Sequence, residues 1–138
     1  MAFAAIRYNI KDGCEDEIAG IFGGFRRVAD PVVRDADGTP VGKVLATAVF
    51  IDGATMVRII QYEGPLDDVV RFVAGQPGVQ QVERDIVPYL ASPRNTATPE
   101  EFVETFRSSM MRCLSQLPPA GAGSPPGAAP SGPPPGAA

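Results

Sequence analysis

The most constraining stretch of this chain runs from Val41 to Glu63, VGKVLATAVFIDGATMVRIIQYE. Asp52-Gly53 sits near its middle, and that dipeptide suits the positive φ angles of a type I′ hairpin turn. A two-residue turn there sets a register: Ile51 faces Ala54, Val49 faces Met56, Thr47 faces Arg58, Leu45 faces Ile60 and Lys43 faces Tyr62. Side chains alternate along a strand, so these pairs share one sheet face. Val44, Ala46, Ala48 and Phe50 share the other with Thr55, Val57, Ile59 and Gln61. Both faces are apolar, whereas a hairpin with one wet face alternates apolar with polar. The pattern predicts cover on both sides, with function on the face that carries the cation Arg58.

The elements around the hairpin follow from local signals. Phe3 to Ile10 reads as a first strand, with Ala4, Ile6, Tyr8 and Ile10 on one face and Phe3, Ala5, Arg7 and Asn9 on the other. A helix is predicted from about Glu15 to Val28, with acids in its first turn, Arg26 and Arg27 at its end, and a stripe of Ile18, Ile21, Phe22 and Phe25. Gly20, Gly23 and Gly24 each disfavour it by about 1 kcal/mol relative to Ala, so a break near Gly23-Gly24 is the alternative. Ala29 to Pro40 reads as a polar loop. Gly64-Pro65 opens a second helix with Leu66, Val69, Val70 and Val73 inward, stopped by Gly75 and Pro77. Val79 to Leu90 reads as a fourth strand whose end Pro88 demotes to an edge. Thr98-Pro99-Glu100-Glu101 is a capping box, and its helix is predicted to run to about Leu117.

The resulting order, β-α-β-β-α-β, is the α+β ferredoxin-like pattern: an antiparallel sheet in the order 4-1-3-2, helices on one face, and one extra C-terminal helix. The second, apolar sheet face points to a partner subunit or a ligand, and a homodimer closing over its sheet faces into a dimeric α+β barrel is the leading expectation. Residues 1–117 form this one domain. From 118 to 138 the chain is almost wholly Pro, Gly and Ala, a composition that cannot bury a core and reads as a disordered tail.

Several function classes drop out. The net charge is −4 and the basic residues are scattered, so neither nucleic acid nor an anionic membrane is indicated. No apolar run reaches the roughly 18 residues of a membrane span, and the start lacks the pattern of a signal peptide, so a cytoplasmic location is expected. There is no histidine, which removes the common zinc sites and the His-dependent nucleophile systems. No nucleotide-binding glycine motif occurs. No cofactor or metal is expected. Cys14 and Cys113 read as free thiols.

With the first and third strands adjacent, the open sheet face, the one away from the helices, is expected to hold Arg7 and Asn9 beside Arg58, with Thr47 next door, Tyr62 further along and the apolar Met56 and Ile60 on the same face. Glu83 and Asp85 from the fourth strand are expected to join them. Two guanidiniums on one apolar face are costly unless paired. They form either an ion-pair network in a dimer interface or a clamp for an anion or enolate, since Arg is always charged and its forked donors suit planar oxygens. Arg58, Tyr62 and Arg7 are the catalytic candidates; Asn9, Thr47, Met56, Ile60 and Arg94 are the substrate-binding ones. Tyr8 can serve as an acid or hydrogen-bond donor, or as a half-buried strand aromatic.

Phe3-Ala4-Ala5-Ile6, Gly13 to Phe22, Gly42 to Ile51, Val57 to Gly64, Val87 to Leu90, Pro93-Arg94 and Met111 to Leu117 together resemble the SchA/CurD-like family of aromatic polyketide clusters. That resemblance implies a small ferredoxin-like protein acting on a reactive, folded polyketide alongside a type II synthase. It carries no agreed catalytic motif. Three roles follow as expectations: a cyclase or cyclisation-assisting protein, a cofactor-independent quinone-forming monooxygenase, or an accessory subunit of the synthase or of a cluster monooxygenase. The absence of both Trp and His weighs against the monooxygenase.

Overall fold

A computed structural model describes residues 1–25 and 29–117. The expected run of the first helix through 26–28, and the tail from 118, lie outside the described residues. In chain order the elements are β1 (Ala2–Asn9), α1 (Glu15–Gly23), β2 (Val32–Arg34), β3 (Pro40–Asp52), β4 (Thr55–Glu63), α2 (Leu66–Ala74), α3 (Pro77–Asp85), a 3₁₀ turn (Val87–Tyr89) and α4 (Pro99–Ser109).

The class is α+β, and the sheet is antiparallel in the order β1-β4-β3-β2. The expected core of the ferredoxin-like sheet, first strand beside third beside second, is therefore present. The fourth strand is not. Val79 to Asp85 is helical because Val79, Val82, Glu83 and Ile86 recur at the spacing of a helix face and are buried together, with Pro77 in the first turn. Pairing on the β1 edge is reduced to two isolated bridges, Ile10 with Leu90 and Ile6 with Met110. The fourth strand of the sheet comes instead from Val32–Arg34, inside the stretch expected to be a loop, and lies on the opposite edge.

The hairpin register differs from expectation in an instructive way. Asp52 pairs with Thr55, so the loop is Gly53-Ala54. Gly53 has φ +59°, and among the described residues only glycines have positive φ, which fits a type II′ turn rather than I′. Sliding the loop by one residue moves the register by two, so Thr47, Val49 and Ile51 keep their face with Ile60, Arg58 and Met56. A bulge between Val44 and Ala46 then turns Val44 towards Tyr62 and pairs Lys43 with Glu63, reversing the expected faces of both.

The helices cover the face of Ala4, Ile6, Tyr8, Met56, Arg58, Ile60 and Tyr62; its apolar members form the core with Val69, Val70, Phe102 and Phe106, and Arg58, expected on the open face, is buried on this covered one. The cap half of the capping box is made: Thr98 Oγ1 accepts from Glu101 N at 3.2 Å, while the Glu101 carboxylate accepts from the Thr98 hydroxyl at 3.3 Å rather than from the Thr98 backbone N–H. Yet α4 stops at Ser109, short of Leu117. Ser108 and Ser109 donate their hydroxyls back to Thr105 O, and Met111 N turns away to Ala5 O. Among the described residues no element covers the opposite sheet face, and Phe3 and Phe50 are 42% and 57% exposed there.

Candidate functional site

Four segments meet beneath the helices. β4 supplies Arg58, β1 supplies Tyr8, α3 supplies Glu83, and the loop before α4 supplies Arg94. The β1–β4 register aligns Ile6 with Arg58 and Tyr8 with Met56, which puts Tyr8 and Arg58 on the covered face. Tyr8 Oη donates to Glu83 Oε1 at 2.7 Å and accepts from Arg58 Nη1 at 3.3 Å. Arg94 Nη2 lies 3.6 Å from Glu83 Oε1, and Arg58 Nη1 lies 3.9 Å from it. The Arg94 guanidinium stacks 3.8 Å from the centre of the Tyr8 ring and donates to Ser109 Oγ at 3.1 Å. Arg58 is flanked by the rings of Phe22 and Phe25 at 5.9 and 5.7 Å.

This cluster is deeply buried, with Arg58 3% and Glu83 2% exposed. Two cations face one carboxylate, so with Tyr8 neutral the cluster carries a net charge of +1. Burial is the main reason that the Tyr8 phenol is pushed up to about 12, so it stays protonated at neutral pH and serves as a donor. Among the described residues, Arg58 makes one hydrogen bond, and Glu83 Oε2, Arg94 Nε and Arg94 Nη2 are buried without one.

Arg58 opens onto a cavity of about 900 Å³ between the sheet and the helices. Phe25, Thr47, Ile60, Phe72, Gln76 and Val79 are among its lining, and Lys43 stands on its exposed side. The size suits a drug-sized or larger organic ligand. Among the described residues the lining contains no carboxylate and no thiol. It can bind a flat apolar body and hold one anionic oxygen; it offers no strong base.

The expected site residues divide. Arg58, Thr47 and Ile60 line the cavity. Arg94 joins the cluster behind Arg58. Met56 and Tyr62 are buried in the core and do not line the cavity; burial also raises the Tyr62 phenol. Arg7 and Asn9 are not beside Arg58. Arg7 pairs with Val57 and Asn9 with Thr55, on the opposite sheet face, because odd-numbered β1 residues align with odd-numbered β4 residues. Together with Arg94 they border a separate hollow of about 230 Å³ along the β1 edge. Glu83 does meet the arginines, from a helix rather than a strand, while Asp85 is exposed and accepts from Gln81 Nε2. Phe72, Gln76 and Val79 were not expected in the lining. The helical spacing of Val79, Val82 and Ile86 was the signal that could have found this wall. Cys14 and Cys113 are free, as expected. Among the described residues no helix is long and apolar enough to cross a membrane.

Residues 1–118 match the family model described as the SchA/CurD like domain. Similar curated proteins include a 42.8 kDa protein in the whiE locus of Streptomyces coelicolor, 31% identical over 107 residues, which are 78% of this chain and 25% of that protein. The polyketide synthase CurD of Streptomyces cyaneus is 28% identical over 113 residues, 82% of this chain and 29% of CurD. Protein SchA of Streptomyces halstedii is 30% identical over 95 residues, 69% of this chain and 23% of SchA. The chain thus spans about a quarter of the length of these relatives. No solved structure gives a significant match.

Proposed function

We propose, from the premise that this chain belongs to the SchA/CurD-like domain family, that it binds an aromatic polyketide intermediate and assists its ring closure. The name of one relative, polyketide synthase CurD, supports the substrate class. The observation that carries the chemistry is Arg58: a buried guanidinium on the floor of a large cavity, held, among the described residues, by one hydrogen bond and belonging to a cluster with one uncompensated positive charge. An unpaired buried charge is costly, and an enolate or phenolate oxygen at Arg58 relieves that cost.

Ring closure asks little more of the protein. A methylene between two ketones is acidic enough to lose its proton to solvent. The resulting enolate carbon bonds to a ketone carbon further along the chain. The ketone oxygen becomes an alkoxide and takes one proton to give a hydroxyl, which leaves as water as the newly bonded carbon gives up its remaining hydrogen and a C=C bond forms. Arg58 stabilises the enolate, and the apolar walls hold the chain folded so that the two carbons meet. The absence of an acidic side chain in the described lining fits this mode, in which orientation and charge stabilisation replace a strong base.

The uncovered sheet face supports a homodimer. On it, Phe3, Gln61 and Ala46 lie in one row, Ala5, Ile59 and Ala48 in the next, and Arg7, Val57 and Phe50 in a third. A two-fold axis along β4 sets Phe3 of one copy against Ala46 of the other, Ile59 against itself, and Arg7 against the ring of Phe50. Large meets small and cation meets aromatic ring, so the face is complementary to itself. In this dimer the cavity lies on the far side of each sheet from the interface.

The test is reconstitution of a type II polyketide synthase with its ketoreductase and aromatase, with and without this protein, in air and under nitrogen. The expected result is a new product isomeric with the shunt product, or lighter by water, formed under nitrogen. An oxygen-containing product that disappears under nitrogen overturns the reading in favour of oxygenation. A change that needs a cluster monooxygenase overturns it in favour of an accessory role.

A further inference from the structure

Glu83 does not behave as a simple counter-ion. A carboxylate that exists to neutralise arginine meets the guanidinium fork with both oxygens at hydrogen-bonding distance. Here both arginines stand off at 3.6 and 3.9 Å, both on the Oε1 side, and Oε2 has no hydrogen-bond partner among the described residues. The short bond, 2.7 Å, goes to the Tyr8 hydroxyl.

That bond decides where the Tyr8 proton points. A phenol has one O–H to donate, and once it is directed to Glu83 Oε1, the oxygen's lone pairs are left for a donor. Arg58 Nη1 is that donor, at 3.3 Å. Without an acceptor at Glu83 the hydroxyl is free to rotate, and a proton turned towards Arg58 would repel the guanidinium. The order of groups, Arg58 to Tyr8 to Glu83, is therefore directional. It ties a side chain on β4 to one on α3 through β1. Arg94, stacked on the Tyr8 ring and facing Glu83, offsets the charge that Glu83 brings in.

We infer that Glu83 is a positioning residue for Arg58, acting through the Tyr8 hydroxyl, and that it aims the guanidinium into the cavity by accepting a hydrogen bond rather than by pairing charge. This rests on the reading that Arg58 is the group that meets the ligand, but its test needs no ligand.

The experiment follows the Arg58 side-chain N–H groups by ¹⁵N NMR in the full chain, with two variants compared against the parent. Tyr8→Phe keeps every charge and removes the hydroxyl. The double variant Glu83→Gln/Arg94→Met removes one negative and one positive charge, so the cluster keeps its net charge, while an amide oxygen can still accept from Tyr8. Circular dichroism checks that both fold. The expected result is exchange of the Arg58 N–H protons accelerated about tenfold in Tyr8→Phe, the loss of one hydrogen bond, and within about threefold of the parent in the double variant. The reverse order, in which the double variant frees Arg58 and Tyr8→Phe does not, overturns the inference and makes Glu83 a counter-ion. Equal acceleration in both variants, or none in either, overturns it as well. Failure of the polyketide reading shows in the reconstitution instead and leaves this result to stand or fall alone.

Discussion

Tyr8 and Glu83 are joined by a buried 2.7 Å hydrogen bond in which the phenol donates and the carboxylate accepts. The bond couples a strand to a helix that the strand-period reading of Val79 to Leu90 did not anticipate, and it has a measurable consequence at high pH. Burial is the largest cause that raises the Tyr8 phenol; Arg58 and Arg94 pull it down and the Glu83 charge pushes it up, to about 12 from 10.0. A group whose folded value is raised lends its full stability below the unfolded value and loses it as pH climbs through the folded one. The window is therefore about pH 10 to 12, and two units correspond to about 2–3 kcal/mol. The urea midpoint should fall between pH 9 and 11.5, and fall less in Tyr8→Phe. Equal falls in the two proteins would contradict this origin.

The charge imbalance of the cluster predicts an asymmetry between its members. Arg58→Met removes one of two cations and leaves Glu83 facing Arg94, so stability should change by no more than about 1 kcal/mol. Glu83→Ala removes the acceptor of the Tyr8 hydroxyl and the carboxylate that faces both buried guanidiniums, and should cost about 3–5 kcal/mol. Urea unfolding at pH 7 measures both, and an Arg58→Met loss as large as that of Glu83→Ala would show the cluster to be balanced without a ligand.

The proposed dimer axis passes Ile59. In a Cys14→Ser/Cys113→Ser background, Ile59→Cys should form a disulfide with its own copy under mild oxidation, and Ile59→Lys should give a monomer by light scattering. Cross-linking no faster than that of a cysteine placed at the exposed Asp37, or an unchanged dimer in Ile59→Lys, would rule out this face.

Two glycines predict opposite responses. A methyl group on Gly42 would collide with the backbone of Glu63 and Gly64, where β3 and the end of β4 pass closely. Gly42→Ala should destabilise the protein by about 2–3 kcal/mol. Gly20 lies in α1 with open space around it, and Gly20→Ala should stabilise by about 0.5–1 kcal/mol. Chemical denaturation of the two variants checks both signs.

The hairpin, the Thr98 cap and the grouping of Arg58 with Thr47 and Ile60 were legible because each depends on local spacing. The face assignments of Thr47, Val49 and Ile51 survived a wrong turn type, since a two-residue slip preserves alternation. The bulge at Leu45 was not legible; nothing in the local pattern marks the extra residue. Arg58 was expected on the open face beside Arg7 and Asn9; Arg7 and Asn9 are on that face, but Arg58 lies under the helices beside Tyr8, because the offset between β1 and β4 is set by long-range packing, not by a turn. The α3 error was avoidable in principle, since Val79, Val82 and Ile86 carry a helical period that the valines and the closing Pro88 obscured. The end of α4 at Ser109 depends on hydroxyl back-bonding and on pairing with β1, which no helix propensity contains.

The central claim is that Arg58 holds an ionised oxygen inside the cavity. The most direct measurement uses 1,2-dihydroxyanthraquinone, a flat phenol whose colour reports its ionisation, titrated with pH in the presence and absence of saturating protein. An oxygen held by a buried guanidinium should ionise more readily, with its apparent pKa lowered by about one unit, equivalent to about 1.4 kcal/mol, and the shift should disappear in Arg58→Met. A bound probe that titrates as it does in water, or a shift that persists in Arg58→Met, would contradict the account.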